Sequence, residues 1–176
     1  PLSIEAQMEA RLLMLSTNNI FSAANGQPIV NPTQDIVLGC HYLTREKPEA
    51  KGAGRSFSNR EQTLLALEDR EVDLHAKIKL REKGKMIETT PGRVMFNDIL
   101  PPEMDFINEV MSKNNLSELV VRAYKQCGHV RTVVLLDDLK RLGFEMATRG
   151  GISICVDHLQ VPKEKEPLVA RLGDIA

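Results

Sequence analysis

The chain has 176 residues, 42% hydrophobic and 27% charged, with a formal net charge of −1. That balance suits a soluble globular chain long enough to bury a core without staples. It argues against a free-standing nucleic-acid binder, which wants a basic face and stacking platforms, because there is no Trp and only two Tyr and five Phe.

Taken in chain order, Ser3 is placed to cap a helix from Ile4 to about Leu15, with Glu5 in the first turn where a carboxylate suits the helix dipole. Its apolar residues Met8, Leu12 and Leu15 run into Ser16-Thr17-Asn18-Asn19, then an Asn25-Gly26 turn and Pro28, which together mark a helix exit. Residues 35–44, apolar and β-branched around Gly39, read as a buried strand. Residues 47–57 form a polar, Gly-rich loop; Gly52-Ala53-Gly54-Arg55 lacks the spacing of a phosphate-binding P-loop, and a surface loop is the reading.

Ser58-x-x-Glu61 predicts a capping box opening a short helix with Leu64, Leu65 and Leu67 inward. From Val72 to Arg81 apolar and polar residues alternate, which predicts a strand with one wet face carrying His75. Lys83-Gly84-Lys85 turns the chain so that residues 86–90 return beside it, and residues 92–96 offer a further short strand. Beyond Pro101-Pro102 the pattern becomes helical, over residues 103–111, then from an Asn115 cap to a stop at Gly128, then from Thr132 to Gly143. The fold class expected is α+β, a small strand-rich N-terminal part with short helices followed by a helical C-terminal part.

Cys40, Cys127 and Cys155 are widely spaced and lack a Cys-x-x-Cys, so each reads as a reduced, buried thiol among apolar neighbours. No apolar run reaches the roughly 18–20 residues that span a bilayer, and no signal-peptide pattern opens the chain, so the cytoplasm is the expected location. Pro1 at the start and a helix-like run from Glu166 at the end read as a segment of a longer polypeptide.

Catalytic chemistry is not evident. His41, His75, His129 and His158 have no metal-ligand spacing, Asp137-Asp138 are adjacent and so diverge on a helix, and no nucleophile–base pair stands out. No residue is assigned as catalytic or as a metal ligand.

Three blocks carry a resemblance. The first is Ser16-Thr17-Asn18-Asn19-Ile20 through Asn25-Gly26-Gln27-Pro28-Ile29 to Pro32-Thr33-Gln34-Asp35. The second is Thr89-Thr90-Pro91-Gly92-Arg93-Val94-Met95-Phe96-Asn97, and the third Leu142-Gly143-Phe144 through Ala147-Thr148-Arg149-Gly150-Gly151-Ile152 to Val161-Pro162-Lys163-Glu164-Lys165. In this order they resemble the largest subunit (β′) of bacterial DNA-directed RNA polymerase, in its pore or funnel segment just after the catalytic metal-binding aspartate loop. Two departures are visible: Thr33 stands where serine is usual, keeping the hydroxyl, and Asp157-His158 stands where two acidic residues are usual.

The resemblance implies a part of a nucleotidyltransferase in transcription, forming the wall of the secondary channel for nucleotide entry and extrusion of a backtracked RNA 3′ end. It implies residues 1–165 as that pore/funnel domain and residues 166–176 as the start of a following rim helix. Magnesium would belong to the complete enzyme, held upstream, with no cofactor in this segment. Partners implied are the rest of β′, the β, α, ω and σ subunits, nucleoside triphosphates and the RNA 3′ end, with DNA reached only through the full complex and no membrane.

A channel wall for triphosphates wants cations that attract at long range without gripping. Arg93 and Arg149, beside glycines, are the channel candidates together with Gln34, and for the two arginines an internal ion pair is the competing reading. Asn18, Asn19 and Asp35 are loop-geometry candidates, the asparagines as cap and turn residues and Asp35 as a buried acceptor. Setting the resemblance aside, the alternative is a stand-alone interaction module without enzyme activity.

Overall fold

The computed structural model describes residues 3–160 together with 162, 164, 165 and 169. The proposed rim-helix start at 166–176 lies outside the described residues apart from Val169. Within them the chain forms α1 (Ile4–Leu13), α2 (Gln34–Thr44), β1 (Ser56–Phe57), α3 (Arg60–Glu68), β2 (Ile78–Glu82), β3 (Lys85–Thr89), α4 (Pro91–Asp98) and α5 (Lys113–Gly150), with two single-turn 3-10 helices at Ser16–Asn18 and Val156–His158. The α+β class holds, with strands mid-chain and a long helical C-terminal part.

The sheet is small. β1 pairs parallel to β2 with Phe57 opposite Leu80, and β2 pairs antiparallel to β3 from Ile78–Thr89 to Glu82–Lys85, closed by the Lys83-Gly84 turn. The alternation expected from Val72 onward survives as burial at Val72, Ala76, Ile78 and Leu80, but ladder pairing begins only at Ile78. His75 is half-buried rather than on a wet strand face, its ring edge-on to Tyr42 at 4.7 Å.

Two expected strands are helices. Residues 35–44 form α2, whose buried set Gly39, Cys40, Leu43 and Thr44 repeats at helical spacing. A short apolar run does not distinguish a buried strand from a buried helix. Residues 92–96 lie inside α4, where Thr90 Oγ1 accepts from the Arg93 N–H at 3.3 Å and Pro91 occupies the first turn. An N-cap hydroxyl followed by proline is a helix start.

Conversely, residues 103–111 are irregular. Met104, Ile107 and Met111 are buried at a spacing that a helix would also give, but the Ile107 and Met111 N–H groups bond to Asn97 of α4 and Thr44 of α2 instead of to carbonyls one turn back. Helix starts also shift: α3 is capped by Asn59, not Ser58, and α5 by Ser112, not Asn115. On α3 the buried residues are Thr63 and Ala66, leaving Leu65 exposed.

α5 departs furthest from expectation. The predicted stop at Gly128 is a break in helical geometry, φ 78 and ψ 179, after which the helix resumes at once. Gly143 does not end it; the helix runs on to Gly150 and stops at Gly151 in the left-handed region, φ 57.

The main core lies between α2, α4, the 101–112 segment and both halves of α5, and contains Leu43, Phe96, Met111, Leu119, Leu135 and Met146. A second cluster of Ala50, Ala66, Val72, Ala76 and Ile78 sits under the 47–57 loop and β2. α1 contributes no buried residue. Among the cysteines Cys40 is buried, Cys127 half-buried and Cys155 exposed, so burial holds fully only for the first. No described helix is long and apolar enough to cross a membrane.

Candidate functional site

The helix-exit block folds as its side chains suggest. Asn19 Nδ2 donates to the Leu13 and Leu15 carbonyls at 2.8 and 3.0 Å, and Asn18 Nδ2 to Leu12 O at 3.3 Å. The Leu12 and Leu13 carbonyls are orphan acceptors in the last turn of α1, and Leu15 lies just beyond it, so both asparagines serve as C-terminal caps. The following turn is closed by a Phe21–Pro28 bridge. Asn25 Oδ1 accepts from Gln27 N–H at 3.1 Å, and Gly26 supplies φ 65.

Gln34 and Asp35 open α2 at the surface. Gln34 is exposed with φ 48, and Asp35 is an exposed first-turn carboxylate, not a buried acceptor. There it faces the positive end of the helix dipole.

Arg93 is only 8% exposed. Its Nε donates to the Thr44 carbonyl at 3.0 Å, its Nη1 to Asn108 Oδ1 at 3.1 Å, and its Nη2 lies 3.9 Å from Glu46 Oε2. One turn on, Asn97 donates from Nδ2 to the Arg93 and Ile107 carbonyls, both at 2.8 Å, and accepts from Ile107 N–H at 2.7 Å. Thr44 Oγ1 donates to Cys40 O at 2.8 Å and accepts from Met111 N–H at 2.9 Å, while Asn108 Nδ2 reaches Glu88 O at 2.7 Å. Arg93, Asn97, Thr44 and Asn108 thus form one clamp that fastens the irregular 101–112 segment to α2, β3 and α4, satisfying backbone groups that no ladder serves.

Sequence reading singled out Arg93 but not its partners Thr44, Asn97 and Asn108. The Asn97 signal lay in plain view at the end of the second block; Thr44 and Asn108 carry no local pattern that distinguishes them.

Arg149 has the opposite setting. It lies in the last turn of α5, where a cation suits the dipole, and its side chain is 65% exposed. Nη2 pairs with Glu145 Oε1 one turn earlier at 2.7 Å. The ring of Tyr42 packs against Gly150, where an added Cβ would lie 3.3 Å from it.

Among the described residues no three His, Cys, Asp or Glu side chains group as metal ligands. Burial alone pushes the Cys40 thiol up to about 12. Burial also holds His75 below its ordinary range, offset in part by its hydrogen bond to the Arg45 carbonyl.

The family model for RNA polymerase Rpb1, domain 3, matches residues 19–159. The chain is 49% identical over 99% of its length to the DNA-directed RNA polymerase subunit beta′ of Syntrophobacter fumaroxidans. It is 47% identical over 96% to that of Thermodesulfovibrio yellowstonii, and 49% over 96% to that of Aquifex pyrophilus. It spans 13%, 12% and 11% of those relatives' lengths, respectively. The family match takes in most of the helix-exit block, the Arg93 clamp and the end of α5 alike: the chain belongs to the RNA polymerase Rpb1 domain 3 family.

Proposed function

We propose that this chain is the pore/funnel portion of a bacterial β′ subunit and forms part of the wall of the secondary channel, through which nucleoside triphosphates enter and a backtracked RNA 3′ end leaves. The observation that carries this reading is the 47–49% identity to β′ subunits across nearly the whole chain. On this reading the chain works in the cytoplasm within an assembly of the rest of β′ with β, α, ω and σ, and meets DNA only through that assembly. Magnesium would sit on an aspartate loop upstream, where two-metal chemistry stabilises the attacking and leaving oxygens. The residues of this chain shape and charge the approach, and the isolated chain synthesises no RNA.

Within that wall the two arginines separate. Arg93 serves as an internal clamp that holds the wall's shape, since its guanidinium is committed to Thr44 and Asn108. Arg149 is the channel-facing cation, with Gln34 a polar lining candidate at the exposed start of α2. A cation at the solvated end of a helix attracts a triphosphate over about a Debye length without holding it.

The test is Arg149→Ala in the complete polymerase, read by nucleotide-titrated elongation beside thermal unfolding. The expected result is a raised nucleotide concentration for half-maximal rate with stability nearly unchanged, because an exposed helix ion pair contributes only about 0.3–0.5 kcal/mol. Unchanged elongation at every nucleotide concentration would overturn the channel role.

A further inference from the structure

The end of α5 presents Arg149 with a built-in competitor. Glu145 and Arg149 stand at i and i+4 on one helix face, with side chains 47% and 65% exposed and their charged atoms 2.7 Å apart. The backbone beneath them is held. Thr148 Oγ1 donates to the Phe144 carbonyl at 2.9 Å, Gly151 N–H to the Thr148 carbonyl at 3.2 Å, and the Tyr42 ring lies against Gly150. Both side chains lie on a solvated face, and Glu145 is the anion that meets the Arg149 guanidinium.

We propose that Glu145 is a positioning residue that sets how tightly Arg149 engages a passing triphosphate, by offering a carboxylate that the phosphate must displace. This rests on the channel reading above. The chemistry is anion exchange at one guanidinium: the Glu145 carboxylate leaves, a phosphate oxygen takes its place, and no bond or proton changes hands. A triphosphate carries more charge than one carboxylate and wins locally, yet the returning carboxylate shortens its stay. A wall that must attract without retaining gains from such a counter-charge.

The magnitude is modest. An exposed i,i+4 pair corresponds to about a twofold change in an equilibrium constant. Neutralising the carboxylate should therefore lower the half-saturating nucleotide concentration by about that factor.

The experiment uses the complete polymerase with Glu145→Gln, Arg149→Ala and both together, titrating each nucleoside triphosphate during elongation at low and high salt. Expected for Glu145→Gln is a half-saturating concentration about twofold lower with the saturated rate unchanged, shrinking at high salt as the exposed pair is screened. In the Arg149→Ala background the same change should have no effect, because Glu145 acts through that guanidinium. No shift in Glu145→Gln while Arg149→Ala does shift would overturn this proposal and leave the channel reading standing. An equal shift in both backgrounds would also overturn it, making Glu145 a general surface charge. Absence of any effect of Arg149→Ala would remove the channel role and this proposal together. Both side chains are exposed, so the variants are expected to fold; equal thermal midpoints of the four enzymes confirm that the comparison is of function.

Discussion

Gly39 of α2 and Gly143 of α5 meet backbone to backbone: a Cβ built on Gly39 would run into the Gly143 carbonyl, and one built on Gly143 would lie 2.8 Å from the Ile36 side chain. The two helices can cross this closely only because neither carries a side chain at the contact. That is why Gly143 belongs in a helix interior despite its unfavourable propensity there. Gly39→Ala is expected to destabilise the chain by more than the ~1–3 kcal/mol typical of overpacking, because the obstacle is backbone. Gly143→Ala should do likewise, and urea midpoints of the two single variants check both. A midpoint at or above that of the parent would mean that the helices can separate freely.

Arg93 offers a second measure. Arg93→Ala removes the donors that serve the Thr44 carbonyl and Asn108, leaving a buried acceptor without its partner. A loss of about 1–3 kcal/mol is expected. Arg93→Lys should recover little of it, since one ammonium cannot reproduce the guanidinium fork. Denaturant unfolding reads both variants, and near-parent stability for Arg93→Ala would dismiss the clamp.

At the end of α1, Asn19→Ala should expose the Leu13 carbonyl that Asn19 now caps, while the Leu15 carbonyl keeps the Asn18 N–H. The expected effect is local fraying worth about 0.5–1 kcal/mol, not global unfolding. Hydrogen exchange of the Met14 amide, which donates to the Ala10 carbonyl at 2.9 Å, should speed up several-fold, while amides of α2 stay unchanged. Unaltered exchange at Met14 would show that the cap is dispensable.

Cys40 gives a pH signature. Burial raises its thiol from 9.0 to about 12, so the folded chain keeps a proton that the unfolded chain releases. Its contribution is complete below pH 9 and is lost as pH climbs from 9 toward 12. Stability should therefore fall over that window, and a Cys40→Ala variant, though less stable at neutral pH, should show a flatter decline. Thiol alkylation of the native chain should modify exposed Cys155 well before Cys40. Equal slopes above pH 9 for parent and variant would place the titration elsewhere.

Much was legible without coordinates. Local chemistry announced itself: Ser3 caps α1 by accepting from Ala6 N–H, Asn18 and Asn19 close it, and Lys83-Gly84 turns the hairpin, because each depends on hydrogen bonds within a few residues. The order of the three blocks likewise pointed to the polymerase family to which the chain belongs. Tertiary structure decided the rest. Residues 35–44 carry apolar side chains that suit a buried strand or a buried helix, and only packing against α5 selects the helix. Gly143 reads as a stop until Gly39 is brought against it. Arg93 and Arg149, alike in sequence beside their glycines, part company for the same reason. Burial commits one guanidinium to acceptors far away along the chain, while the other stays at a solvated helix end with Glu145 as a local partner. Long-range backbone approach and burial have no local signature, so they become decidable only once the helices have met.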